Sequence, residues 1–175
     1  MEYATSRFFA GNVTNEKGFN RKVGSGGNPF MAQAYLTNGT GAIAESQMPF
    51  ENNEDIIEIA KIQGKTVTSQ VNDSMIFPSY SVSQVTDSFK QQIKDHIRQY
   101  GSISASIHGA AIFSDYYNNE TGAIYCHNRF LCPTNHAVSI VGWIDDYAIT
   151  NFNEAHRPTK PGAWIIKNSW GEKLE

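Results

Sequence analysis

The chain has 175 residues, with 14 basic and 17 acidic side chains and a formal net charge of −3. Charged residues make up 18%, hydrophobic ones 40% and aromatic ones 12%, which fits an ordered globular protein of one domain or two small lobes and argues against disorder. The charge balance lacks the broad positive field that nucleic-acid binding needs, and no apolar run is long enough for a membrane span or an intact signal peptide.

Residues 1–64 read as helix and loop. Tyr3 to Phe9 looks like the end of an element already under way, and a glycine-rich stretch runs from Gly24 to Pro29. A helix is expected from Phe30 to Thr37, closed by Asn38-Gly39 as a C-terminal cap. Glu54 to Ile62 suits a short helical turn. From Lys65 the character changes, and Thr66 to Val71 alternates like a strand.

Phe89, Ile93, Ile97 and Tyr100 then recur at helical spacing, with Thr86 or Asp87 able to cap the start and Gly101 the end. Beyond that helix Ile103, Ala105 and Ile107 alternate with Ser102, Ser104 and Ser106 as in a strand. Residues 137 to 143 and 163 to 168 are two further apolar, β-rich runs. The lobe boundary is therefore expected near residue 64, with a mainly β lobe over 65–175.

Cys126 and Cys132 flank a five-residue loop. A short-loop disulfide, a metal site with His127 and His136, or two unrelated buried thiols would each use them. The spacing fits no common zinc pattern and lacks a second ligand pair, so the disulfide is favoured over the metal. A disulfide implies an oxidising, extracellular setting.

His136 opens one of the β-rich runs, and Trp164, Ile166 and Asn168 share one face of the other, because side chains alternate along a strand. If the two strands are neighbours, the Asn168 amide can accept the imidazole N–H. That bond fixes the tautomer and leaves the other nitrogen to act on a nucleophile. Trp170 would shield the bond from water. Taken singly, a histidine at a strand end and a core tryptophan explain the same residues.

The order and spacing of these blocks identify more. Asn135-His136-Ala137-Val138 followed by Lys167-Asn168-Ser169-Trp170-Gly171 resembles the catalytic His and Asn segments of the papain-like cysteine peptidases, the C1 family. Gly26-Gly27-Asn28-Pro29 is similar to the family's substrate-binding glycine stretch, and Glu45 to Phe50 to the segment after it. The loop from Trp143 to Gly162 resembles that of secreted bacterial members. The resemblance covers nearly the whole chain.

It implies an α+β, papain-like two-lobe fold, with an incomplete helical left lobe over 1–64 and a β-barrel-like right lobe over 65–175. His136 would be general base and acid in an ion pair with a thiolate, Asn168 its orienter and Trp170 the cover. Gly26 and Gly27 would offer backbone groups to an extended peptide. Pro29, Ser106 and Ala137 would line the pocket for the side chain two positions before the scissile bond. No metal or cofactor is implied; the partners are a peptide or protein substrate and the missing N-terminal segment of the same protein, in a secreted or cell-surface setting.

The family's nucleophile stands at the start of a central helix, and its block is expected upstream of Met1. Neither Cys126 nor Cys132 has a helix start to activate it. The chain is also expected to stop short of the family's last strand, with Leu174-Glu175 as a cloning remnant. The leading expectation is thus a C-terminal peptidase fragment, inactive and marginally stable alone. A non-catalytic peptide-binding relative is the alternative, and a carbohydrate-binding module using Tyr116, Tyr117 and Tyr125 is a third reading.

Overall fold

The computed structural model describes residues 27–37, 41–47, 49, 66–78, 85–127 and 130–169. The chain divides into two compact units, residues 1–78 and 79–175. The expected features at Tyr3 to Phe9, Asn38-Gly39 and Glu54 to Ile62 lie outside the described residues.

In the first unit helix α1 spans Pro29–Thr37. Asn28 caps it: its side-chain oxygen accepts from the Met31 amide at 3.1 Å. Pro29 fills the first helical position, where an N–H has no intrahelical partner to lose. Gln33 reaches from the helix to the Ser74 hydroxyl. Strand β1, Ala42–Ile43, pairs antiparallel with β2, Val67–Ser69. The Gln47 carboxamide prolongs this pairing, accepting from the Thr66 amide at 3.1 Å and donating to the Thr66 carbonyl at 3.3 Å. β2 is shorter than the alternation over residues 66 to 71 suggests, because its partner strand is only two residues long.

The second unit begins with helix α2, Asp87–Tyr100. Thr86 is the N-cap, accepting from the Phe89 amide at 3.1 Å. Gly101 ends the helix at φ 97°, with its amide on the Ile97 carbonyl at 2.8 Å. Ile97 is buried, and Phe89 and Ile93 are half-buried. Tyr100 departs from the apolar stripe: it is 63% exposed, and its ring leans on His96 at a centroid distance of 4.6 Å.

Three antiparallel strands follow, β3 (Ile103–Ile107), β4 (His136–Ile144) and β5 (Ala163–Lys167), in the order β3-β4-β5. In β3 the isoleucines and Ala105 are half-buried and the serines exposed, as the alternation predicts. Ile107 pairs with His136 and Ser106 with Ala137, and an irregularity between Ile140 and Gly142 shifts β4 against β5. The fold is α+β; among the described residues the sheet is open, with no closed barrel and with β5 at one edge.

Charged groups from α2 hold it to the sheet. Lys94 Nζ and the Arg98 guanidinium lie 5.3 Å and 4.8 Å from the Trp143 ring centroid, close enough for cation–π attraction. Asp145 bonds to Lys94 and accepts the Trp143 indole N–H at 3.2 Å. The Lys94 bond is the main reason the Asp145 carboxyl is held below the usual range.

Between β3 and β4 the chain makes a 3₁₀ turn, Gly109–Phe113, and a bridge between Tyr117 and Ile124. It then enters the Cys126–Cys132 disulfide, with Cα atoms 6.3 Å apart. Among the described residues of this unit, Ile97, Ala111, Val138 and Phe152 are the buried apolar side chains. Tyr125 and Tyr147 both set an edge against Phe152, and Tyr116 packs at a tilt against His156, with ring centroids 4.3 Å apart. Tyr116, Tyr117 and Tyr125 are therefore half-buried packing residues and make no open aromatic platform.

Candidate active site

His136 opens β4, and Asn168 follows directly on Lys167, the last residue of β5, which pairs with Ser139. Alternation puts His136, Val138 and Ile140 on the face that Ile166 and Asn168 share on the neighbouring strand. The diagonal across the pair is short enough for contact. His136 Nε2 lies 2.8 Å from Asn168 Oδ1.

The same oxygen accepts the Ser169 amide at 2.8 Å. That second bond decides the chemistry of the first. A backbone N–H can only donate, so it turns the carboxamide oxygen, and not the NH₂, to this side, and the imidazole must be the other donor. In the neutral ring Nε2 carries the proton and Nδ1 is the basic nitrogen. The Asn168 partner is legible in the sequence; the Ser169 amide is not, because a backbone N–H leaves no mark in residue identity.

The residues before His136 are tied to the end of β3. The Asn135 amide donates to the Ile107 carbonyl at 3.0 Å, and the Asn135 side-chain oxygen accepts the Gly109 amide at 2.8 Å. His108 Nδ1 lies 2.8 Å from the Pro133 carbonyl. Gly109 is buried, and a Cβ placed on it would stand 2.7 Å from His136 Cβ. No sequence signal marks Asn135 or Gly109 for this role.

Ser106 and Ala137 are exposed neighbours across the β3–β4 ladder. Gly27 and Pro29 are exposed in the first unit, at the start of α1. Gly26 and Trp170 lie outside the described residues. Among the described residues, no group of three or more His, Cys, Asp or Glu side chains is arranged to hold a metal, and no helix is long and apolar enough to cross a membrane.

A family model described as papain family cysteine protease matches residues 14–175. The chain belongs to the papain family of cysteine proteases. Among curated relatives, cathepsin Q of Rattus norvegicus is 22% identical over 147 residues, 84% of this chain and 36% of the relative. The probable cysteine protease RD19B of Arabidopsis thaliana is 32% identical over 105 residues, 59% of this chain and 26% of the relative. Among solved structures, the clostridial cysteine protease Cwp84 after propeptide cleavage matches with a TM-score of 0.75 at 28% identity, over 97% of this chain and 38% of that one. A structure of the cysteine protease and lectin-like domains of Cwp84, a surface layer associated protein of Clostridium difficile, matches at 0.71 and 29%, over 98% and 34%. This chain thus spans about a third of the length of these papain-family relatives. Its fold is papain-like, as the His and Asn blocks imply.

Proposed function

We propose that this chain is the portion of a papain-like cysteine endopeptidase that supplies the histidine and asparagine of a Cys-His-Asn mechanism, with the nucleophilic cysteine outside the chain. The observation that carries this reading is the His136–Asn168 bond, made to an oxygen already oriented by Ser169. The sequence has two cysteines, and both are in the Cys126–Cys132 disulfide, so neither offers a thiol.

In this reading a thiolate attacks the peptide carbonyl. His136, protonated in the ion pair, gives its proton to the leaving amine; it then takes one from the water that hydrolyses the thioester and returns it when the thiol leaves. Asn168 holds the ring so that Nδ1 faces the reacting atoms. The family resemblance gives Trp170 the role of covering the Asn168–His136 bond, Gly26, Gly27 and Pro29 roles in substrate binding, and Ser106 and Ala137 that of lining the pocket for the side chain two positions before the cleaved bond. The same reading assigns residues 1–64 to a helical lobe and 65–175 to a β lobe, a boundary earlier in the chain than the one between the compact units 1–78 and 79–175. The disulfide, and the likeness to a surface layer associated protein, support a secreted or cell-surface setting.

The test is turnover of a fluorogenic peptide by the full-length protein, with and without a thiol alkylator. Cleavage that the alkylator and His136→Ala both abolish is expected. Tight peptide binding by calorimetry with no cleavage would instead make the protein a non-catalytic relative.

A further inference from the structure

We propose that His127 and His156 form a two-imidazole site for a late transition-metal dication of the Zn²⁺ class, joining the disulfide ring to the loop between β4 and β5. The site stands apart from the peptidase reading: it uses neither His136 nor the two cysteines.

The two rings come from separate stretches of chain. His127 follows Cys126 at the start of the ring that Cys132 closes, and His156 lies in the loop beyond the 3₁₀ turn Ile149–Asn151. Their centroids are 5.4 Å apart, with the planes inclined by 40°. A tyrosine backs each of them. Tyr125 stacks on His127 with centroids 5.8 Å apart, and Tyr116 packs against His156 at 4.3 Å and edge-on to His127 at 6.4 Å. The His156 amide donates to the Asn153 carbonyl at 3.0 Å, which fixes the turn that carries the ring. His127 is exposed and His156 half-buried, and among the described residues no ring nitrogen of either makes a hydrogen bond.

The spacing is what a shared ion requires. With Zn–N bonds of about 2.0–2.1 Å and a tetrahedral angle between them, the centroids of two imidazoles on one ion fall roughly 5 Å apart. A neutral imidazole offers a lone pair on one nitrogen, and here that nitrogen has no competing donor. Imidazole suits Zn²⁺, Cu²⁺ and Ni²⁺, whereas Ca²⁺ and Mg²⁺ select oxygen. Among the described residues no third His, Cys, Asp or Glu completes the set, so the ion keeps positions for water or for a donor from another molecule. Held there, it bridges two loops that are otherwise joined at this point only by ring packing.

The test is Zn²⁺ titration of the ¹⁵N-histidine-labelled full-length protein, with its free thiols first alkylated so that the nucleophile takes up no metal. The ring signals of His127 and His156, assigned by their loss in His127→Ala and His156→Ala, are expected to shift together with one midpoint. Each variant should lose the response of the remaining ring, and Ca²⁺ should move neither. The melting temperature of the parent should rise with Zn²⁺ by more than that of either variant, because the ion binds the folded chain. Rings that do not respond, that respond with different midpoints, or that respond equally to Ca²⁺ would overturn the proposal. So would a ring that keeps its response when the other is removed. Where an alanine variant does not fold, the two midpoints in the parent decide. An inactive parent defeats the peptidase reading alone, because the ring signals need no turnover.

Discussion

His136 and Asn168 meet on a diagonal between adjacent antiparallel strands, Nε2 to Oδ1 at 2.8 Å, and the Ser169 amide sits on the same oxygen. The backbone thereby dictates which end of the carboxamide the imidazole sees. Two variants separate the ring's own chemistry from its orientation. In the full-length protein His136→Ala is expected to lower kcat/KM by about 10²- to 10⁴-fold, the usual weight of a general acid–base group. Asn168→Ala should lose less, about ten- to a hundredfold, as for other groups that orient a functional imidazole. Steady-state kinetics that find Asn168→Ala fully active would remove the orienting role.

Ser106 and Ala137 face each other across the ladder, small and exposed. If they wall the specificity pocket, adding bulk at 137 closes it to large side chains and spares small ones. Ala137→Leu should lower kcat/KM for peptides with a bulky side chain two positions before the cut by about tenfold relative to small ones, the order of discrimination one or two methylene groups give. A peptide library cleaved with unchanged ranking would place the pocket elsewhere.

Asp145 gives a pH-dependent signature away from the site. The hydrogen bond from Lys94 holds its carboxyl below the ordinary range, with smaller help from Lys94's charge, the Trp143 indole and Arg98. A pKa that is lower in the folded than in the unfolded state stabilises the fold above the unfolded value. That contribution fades as pH falls below about 4. Asp145→Asn should therefore melt lower than the parent at neutral pH, with the gap closing in acid and narrowing in high salt. A gap that is constant from neutral pH into the acid range would show that the ion pair contributes nothing to the difference.

The two ends of α2 can be tested independently. Thr86→Ala removes the acceptor for the Phe89 amide and should cost about 1 kcal/mol. Gly101→Ala meets no neighbouring atom within 4 Å, so its cost comes from the φ of 97° alone, about 1–2 kcal/mol. Urea titration of both variants and the double variant should give nearly additive losses. A stable Gly101→Ala variant would mean that the backbone relaxes there.

Periodicity made α2, β3, β4 and β5 legible, because a helix at 3.6 and a strand at 2 residues per repeat mark the sequence directly. Alternation even anticipated the His136–Asn168 approach, since Trp164, Ile166 and Asn168 fall on one face. Tyr100 has the right spacing for the apolar stripe yet ends the helix exposed, since a periodic pattern does not say how far the neighbouring sheet extends. What stayed hidden depends on register and backbone. Asn135 meets Gly109 only because the β3–β4 ladder pairs Ile107 with His136, and Ser169 acts through an N–H that any non-proline residue would supply. Asn28 reads as part of a glycine-rich stretch until its side chain is seen on the Met31 amide.

The Cys126–Cys132 ring is the last covalent constraint before the chain reaches Pro133, Asn135 and His136. A peptidase driven by a thiolate must keep that one sulfur reduced, yet the strand delivering its histidine is entered through two sulfurs that are oxidised. Both conditions hold at once only where the ring is harder to reduce than the oxidised nucleophile, because thiol–disulfide exchange reaches each sulfur according to its own potential and access.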